Sequence, residues 1–256
     1  MKNILLTAFV LMFLIAAVSL ISPAKAVAEV NILSNTGYID SLGWYNIVGE
    51  VENTGDVAVT WVEIEATFYD VNNTMLATED SYMTLNTLNP GRKSPFDITL
   101  MNEVLAAKVN NYSLTVLSSS VTSSKPIGLE IPSHTSSIDE WGWMTISGDI
   151  KNIGTITATF VKIVATCYDT GGNVVDYGWT YSQPTDIQPN LTIPFEITLY
   201  DTERLPYIAS YALEAESTQY VLIPEFPSWT QMLLLLVVLT GAIAIYKRKL
   251  LKTPIH

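Results

Sequence analysis

Trp44 to Asp70 reads WYNIVGEVENTGDVAVTWVEIEATFYD, and Trp143 to Asp169 reads WMTISGDIKNIGTITATFVKIVATCYD, 99 residues later. The register holds without a gap on either side. Gly49, Asn53 and Gly55 align with Gly148, Asn152 and Gly154, and Pro90, Pro95 and Phe96 with Pro189, Pro194 and Phe195. From Ile39/Ile138 to Leu114/Leu213, 24 of 76 aligned pairs are identical. Unrelated segments would share only a handful, so the chain carries a duplicated unit. A period this long is beyond any solenoid unit and suits a self-sufficient domain.

Each copy alternates with period two. Tyr45, Ile47, Gly49 and Val51 fall on one side, Asn46, Glu50 and Glu52 on the other. Val62, Ile64, Ala66 and Phe68 repeat the pattern, as do Val161, Ile163, Ala165 and Cys167. Successive strand side chains face opposite ways, so these are strands with one buried face. Turn signals separate them: Asn53-Thr54-Gly55 and Asn152-Ile153-Gly154, read as tolerating positive φ, then Asp70–Asn73, Asp169–Asn173, Asn89-Pro90-Gly91 and Gln188-Pro189-Asn190. Six or seven short strands per copy predict an all-β chain of two tandem β-sandwiches, residues 27–119 and 120–220. Asn102–Ala107 and Asp201–Leu205 are the only faintly helical stretches. First strands are expected at Ala28–Leu33 and Ile127–Pro132. The small polar run Ser118–Lys125 reads as an interdomain linker, with the domains as beads on a stalk.

Two apolar segments flank the repeats. Residues 1–26 carry Lys2, an apolar run and Ala24-Lys25-Ala26, the pattern of a cleaved signal peptide, with an uncleaved anchor as the competing reading. Residues 221–229 form a proline-containing stalk, and 230–246 are apolar enough for a short transmembrane helix. Residues 247–256 are basic, which places them in the cytoplasm and the repeats outside. The expected location is therefore the cell membrane, single-pass. Residues 27–228 hold seven bases against all 25 acids, a net of −18. That charge excludes nucleic acid as a partner. A single cysteine excludes an internal disulfide, so each copy relies on its own core.

Two resemblances follow from these residues. The Gly-x-[Val/Ile]-x-Asn-x-Gly pattern at Gly49–Gly55 and Gly148–Gly154, with Tyr69-Asp70 and Tyr168-Asp169, resembles the FxLYD family of Ig-like β-domains on prokaryotic surface proteins. Ala66 and Ala165 stand where that motif's leading Phe belongs, and Phe68 and Cys167 at its Leu. The resemblance implies two Ig-like β-sandwiches. Pro224-Glu225-Phe226, ahead of the apolar stretch and the basic end, is similar to the archaeal PEF-type C-terminal sorting signal. It implies an archaeal source, recognition by an archaeosortase and transfer to membrane lipid. A plain single-span anchor is the alternative.

Candidate chemistry is sparse. No Ser/His/Asp set, zinc spacing or phosphate loop is visible, and Cys167 sits inside a strand where Phe68 stands in the first copy. No catalytic, cofactor or metal residue is assigned. Paired carboxylates of glycosidase type stay open in principle, against a solvated strand face. Asp70 and Asp169 offer oxygen ligands for calcium, or cap their own turns. Asn72, Asn111 and Asn190 begin glycosylation sequons, a motif short enough to occur by chance. Trp44 and Trp143 recur at a strand start, as surface contacts or as packing residues. The expectation is a non-enzymatic, membrane-anchored surface protein for adhesion, interaction or envelope spacing. Its partner would be an envelope protein or glycan. The alternatives are a ligand-binding module for glycan or calcium, and an accessory subunit of a membrane complex.

Overall fold

A computed structural model describes residues 27–223. The proposed signal peptide, the Pro224-Glu225-Phe226 motif, the apolar stretch and the basic tail lie outside the described residues. Among the described residues no helix is long and apolar enough to cross a membrane.

The described chain is all-β. The first repeat runs β1 (Val30–Ile39), β2 (Tyr45–Asn53), β3 (Ala58–Tyr69), β4 (Met75–Tyr82), β5 (Lys93–Leu100), a one-turn helix α1 (Glu103–Ala106) and β6 (Asn111–Thr122). Its sheets are β1-β2-β5 and β4-β3-β6, all antiparallel. Between them lie Ile47, Val51, Ile64, Ala66, Phe68, Phe96 and Ile98, the positions that alternation assigned to the interior. The second repeat runs β7 (Ile127–Ile138), β8 (Met144–Asn152), β9 (Lys162–Tyr168), β10 (Val174–Tyr181), β11 (Thr192–Leu199), a 3-10 turn (Leu205–Tyr207), β12 (Ser210–Glu216) and β13 (Val221–Leu222). Here a short strand joins the two sheets. β13 pairs with β12 and, in parallel, with β7, giving one seven-stranded order β10-β9-β12-β13-β7-β8-β11. Val221 and Leu222, assigned above to the stalk, are buried in that sheet.

The repeated motif has a physical reason. Asn53 is fully buried and donates its amide hydrogens to Val57 O (2.8 Å) and Leu88 O (2.7 Å), while accepting from Gly55 N. Asn152 does the same with Ile156 O, Ile187 O and Gly154 N. One side chain thus satisfies a loop that has no ladder of its own. The glycines after it do not have positive φ, contrary to expectation. They are needed for close approach: a Cβ on Gly55 would lie 2.2 Å from Val27 O, and one on Gly154 2.3 Å from the Tyr220 ring. The other turn expectations hold, with Asn73, Gly91, Gly172 and Asn190 left-handed.

The linker reading is corrected. Ser118–Thr122 continue β6 and pair with β3 from Glu63 to Ala58. A ladder needs only main-chain groups, so a run of serines hid it. The beads-on-a-stalk expectation fails with it. The outer face of β1-β2-β5 lies against the outer face of β10-β9-β12, and Val164 of β9 belongs to the first repeat's buried cluster. The sheets stack as four layers.

Candidate functional site

The contact between the repeats is built from side chains that alternation assigned to solvent. On β2 and β5 these include Val48, Glu50 and Asp97; on β9 and β10 they include Lys162, Val164, Tyr168 and Tyr177. Val164 is fully buried and Val48 nearly so. Around this apolar centre the polar groups pair across the seam. Tyr168 donates to Glu50 Oε1 (2.6 Å), Tyr177 donates to the Asp97 carboxylate, and Lys162 donates to Thr84 O (2.9 Å). Burial and the neighbouring carboxylate push both tyrosine hydroxyls upward in pKa, so they remain donors. Thr36 Oγ1 donates to Val174 O, and Val174 N donates to Ser34 Oγ.

One ion pair crosses the seam, and a second holds a carboxylate that crosses it through backbone amides. Arg92 pairs with Glu214 and also donates to Ala215 O. Glu216, 1 % exposed, accepts from the backbone N–H groups of Asn86 and Thr87 and from Lys125 Nζ (3.1 Å). A cleft of about 310 Å³ runs between the repeats here, lined in part by Glu50, Arg92, Lys93, Tyr168 and Glu214.

A further cluster joins Tyr38 of β1 to the second repeat. The Arg204 guanidinium lies 4.3 Å from the Tyr38 ring centre and 5.2 Å from that of Tyr207, and its Nε donates to Val175 O. Asp176 is buried beside it. Desolvation pushes its carboxyl up to about 6, with Asp201 adding to the rise, against the Tyr177 N–H and Arg204. A carboxyl raised above its unfolded value of about 3.9 stabilises the fold below that value, and the contribution is lost as pH rises through about 6. Asp176→Asn is therefore expected to raise the unfolding free energy at pH 7.5 by about 2–3 kcal/mol and to change it little at pH 3.5, measured by urea denaturation at both pH values.

A second site lies within the second repeat alone. β13 reaches only the Ile127–Leu129 part of β7, leaving Ser133–Ile138 without a partner strand on that side among the described residues. A cleft of about 560 Å³ opens there between β7, the start of β8 and residues 205–211. Ile138, Met144, Leu205 and Ile208 give it apolar walls; His134, Ser136, Ser137, Ser210 and Tyr211 give it polar ones. His134 Nδ1 lies 2.8 Å from Tyr211 OH.

The residues singled out from sequence fall elsewhere. Trp143 is 37 % exposed with its ring 5.1 Å from that of Tyr200; Trp44 is half-buried. Both follow turns capped by an aspartate: Asp40 Oδ1 accepts from Leu42 N and Trp44 N, and Asp139 Oδ1 from Trp141 N and Trp143 N. Asn72, Asn111 and Asn190 are exposed, on a turn, at a strand start and on a turn. The Asp70 carboxylate accepts from Asn72 N and Thr74 N, and that of Asp169 from Gly171 N and Asn173 N, so both cap turns. The Thr74 N–H chiefly holds the Asp70 carboxyl below the usual carboxylate range, and the Asn173 side-chain amide, then its N–H, does the same for Asp169. Cys167 is fully buried, and its thiol is pushed up to about 12 by burial.

One repeated surface feature was not read from sequence. Trp61 and Phe160 occupy equivalent positions, are 69 % and 65 % exposed, and both have left-handed backbone, with φ of 52° and 53°. Trp61 stands edge-on to Tyr82, and Trp179 and Tyr181 form a similar pair beneath Lys162. The aromatic match at 61 and 160 was the available signal.

The chain matches no family model and no curated protein. Among solved structures it is similar to the exo-chitosanase of Amycolatopsis orientalis at 12% identity and a TM-score of 0.26, over 75% of this chain and 26% of that one. It is also similar to red sea bream transglutaminase (8% identity, TM-score 0.24, 78% of this chain and 32% of that). The β-glucosidase of Kluyveromyces marxianus gives 8% identity and a TM-score of 0.22, over 74% and 46%. The chain spans under half the length of each, and the scores are too low to carry structure or activity across.

Proposed function

We propose that this is a non-enzymatic, membrane-anchored surface protein that presents two Ig-like β-sandwiches, fixed as one body, to an envelope partner. The observation that supports this reading is the inter-repeat seam. It engages Glu50, Asp97, Lys162, Glu214 and Glu216 in bonds between the repeats. A rigid pair presents its free faces in a fixed relation, which suits recognition and spacing. In this reading the N-terminal segment directs export, and the Pro224-Glu225-Phe226 motif with the apolar and basic segments anchors the chain or serves an archaeosortase. Trp61, Phe160 and Trp143 are exposed contact residues, and Asn72, Asn111 and Asn190 are accessible to glycosylation.

Crosslinking mass spectrometry on native membranes, with the C-terminal peptide read in the same run, tests it. The expected result is a dominant envelope partner linked to the free faces, with a tail that either ends near Phe226 or remains as an anchor. Links confined to cytoplasmic proteins, or turnover of a substrate by the purified chain, would overturn it. The ligand-binding reading is favoured by one observation, the cleft in the second repeat.

A further inference from the structure

We propose that the cleft between β7 and β12 of the second repeat binds a neutral saccharide ring, a role beyond the presentation of the two sandwiches. Duplication supplies the comparison that makes the cleft informative. In the first repeat the same place is filled. Tyr45 stands edge-on to Phe68 and Tyr112, with ring centres 5.7 and 6.1 Å away, and Tyr112 OH donates to Asn35 Oδ1. Gly37 is what admits the two tyrosines: a Cβ there would lie 2.6 Å from the Tyr112 ring and 2.7 Å from Tyr45 OH.

The second repeat keeps one member and changes the others. Tyr211 corresponds to Tyr112. Met144 stands for Tyr45, Cys167 for Phe68, Ser136 for Gly37 and His134 for Asn35. Two changes remove a filling ring, one adds a hydroxyl and one exchanges an amide for an imidazole, and the result is open space of about 560 Å³, within the range of small-molecule sites. His134, Ser136 and Ile138 share the face of β7 that elsewhere turns inward. A strand face that should carry core residues carries an imidazole and a hydroxyl instead.

The lining determines the ligand class. No charged side chain lines the cleft. An anion would find no guanidinium or ammonium, and a cation no carboxylate, so a charged ligand would lose its hydration without compensation. Serine and tyrosine hydroxyls each donate and accept, and the His134 ring adds polar nitrogen, which is what a ring of hydroxyls presents in return. Met144, Leu205, Ile208 and Ile138 offer apolar surface to the C–H faces of such a ring. The ring is either a free sugar or the end of a glycan chain.

The test is saturation-transfer NMR and calorimetry on the full chain in detergent. The probes are neutral methyl hexosides, neutral oligosaccharides, and their sialylated and sulfated counterparts. The expected result is saturable binding of neutral probes with Kd at or below about 1 mM. Binding of methyl hexosides identifies a free sugar as sufficient, and binding of oligosaccharides alone identifies a glycan end; either supports the proposal. The double variant S136G/M144Y gives the cleft the first repeat's filling and is expected to abolish binding while the melting temperature holds. His134→Asn, which keeps the first repeat's tyrosine partner, is expected to weaken binding about tenfold. Absence of binding by every neutral probe, equal binding of the charged probes, or unchanged affinity in both variants would overturn the assignment.

Discussion

Replacing Val164 with glutamate is expected to separate the two repeats. Val164 is fully buried and packs with the first repeat's core cluster, while its counterpart Glu65 stands half-buried on the free face of β3. The substitution therefore gives β9 the residue that its own duplicate carries. A carboxylate placed there meets apolar neighbours and has no cation among its strand's outward side chains except Lys162, already bonded to Thr84 O. Burying an unpaired charge costs several kcal/mol, and about 4 kcal/mol is expected at pH 7.5. The buried carboxyl is raised in pKa, so the penalty grows as pH rises above the unfolded value and shrinks toward pH 4. Calorimetry should resolve two unfolding transitions in Val164→Glu and one in the parent. Glu65→Val, at the half-buried equivalent position, should change stability by no more than about 0.5 kcal/mol. One transition for both variants, with equal stability, would show that the seam contributes nothing.

The second large effect is expected at Glu216. Its carboxylate is buried and holds two backbone amides of the first repeat together with the Lys125 ammonium. Glu216→Ala leaves two amides without their acceptor and the half-buried Lys125 ammonium with the Ser217 carbonyl but no counter-charge. Removing one partner of a buried pair is far costlier than the pair is worth, and a loss of about 3–5 kcal/mol is expected. Glu216→Gln keeps an amide oxygen as acceptor and should recover part of it. Urea midpoints for both variants, with Lys125→Met as the second arm of a double-mutant cycle, measure the coupling. An additive cycle would place Glu216's contribution in its amide bonds alone.

The two kinds of information came from opposite features of the duplication. Core positions are those where the copies agree: Ile47/Ile146, Ile64/Ile163, Ala66/Ala165, Phe96/Phe195. Their alternation made the strands and their buried faces legible, because a core imposes the same demand on both copies. The seam and the cleft depend on places where the copies differ, such as Glu65/Val164 and Glu63/Lys162 in the seam and Tyr45/Met144 in the cleft. Glu50 reads as a solvent-facing acid because period two assigns a face, and nothing in its own strand reports a second sheet laid over that face. A signal was available in β9, where Lys-Ile-Val-Ala-Thr-Cys is buried at every position and Val164 breaks the polar alternation that Glu63, Glu65 and Thr67 keep in β3. The substitutions Tyr45 to Met144 and Gly37 to Ser136 were equally visible, but without the packing of Tyr45 against Phe68 they carried no meaning. Ser118–Thr122 carry no side-chain signal of a strand, because β6 there depends on main-chain pairing.

The most direct test of the four-layer body is a distance across it. Thr78 on β4 and Glu196 on β11 are exposed on the two outermost faces. Spin labels on T78C/E196C are separated by three sheet-to-sheet spacings, roughly 30 Å before the label arms are added. Cys167, buried and with its thiol pKa raised, stays unlabelled. Pulsed electron-electron resonance on the full chain is predicted to give one narrow distance peak near that value. A broad distribution reaching well beyond it would mean that the repeats move independently, and would contradict the account.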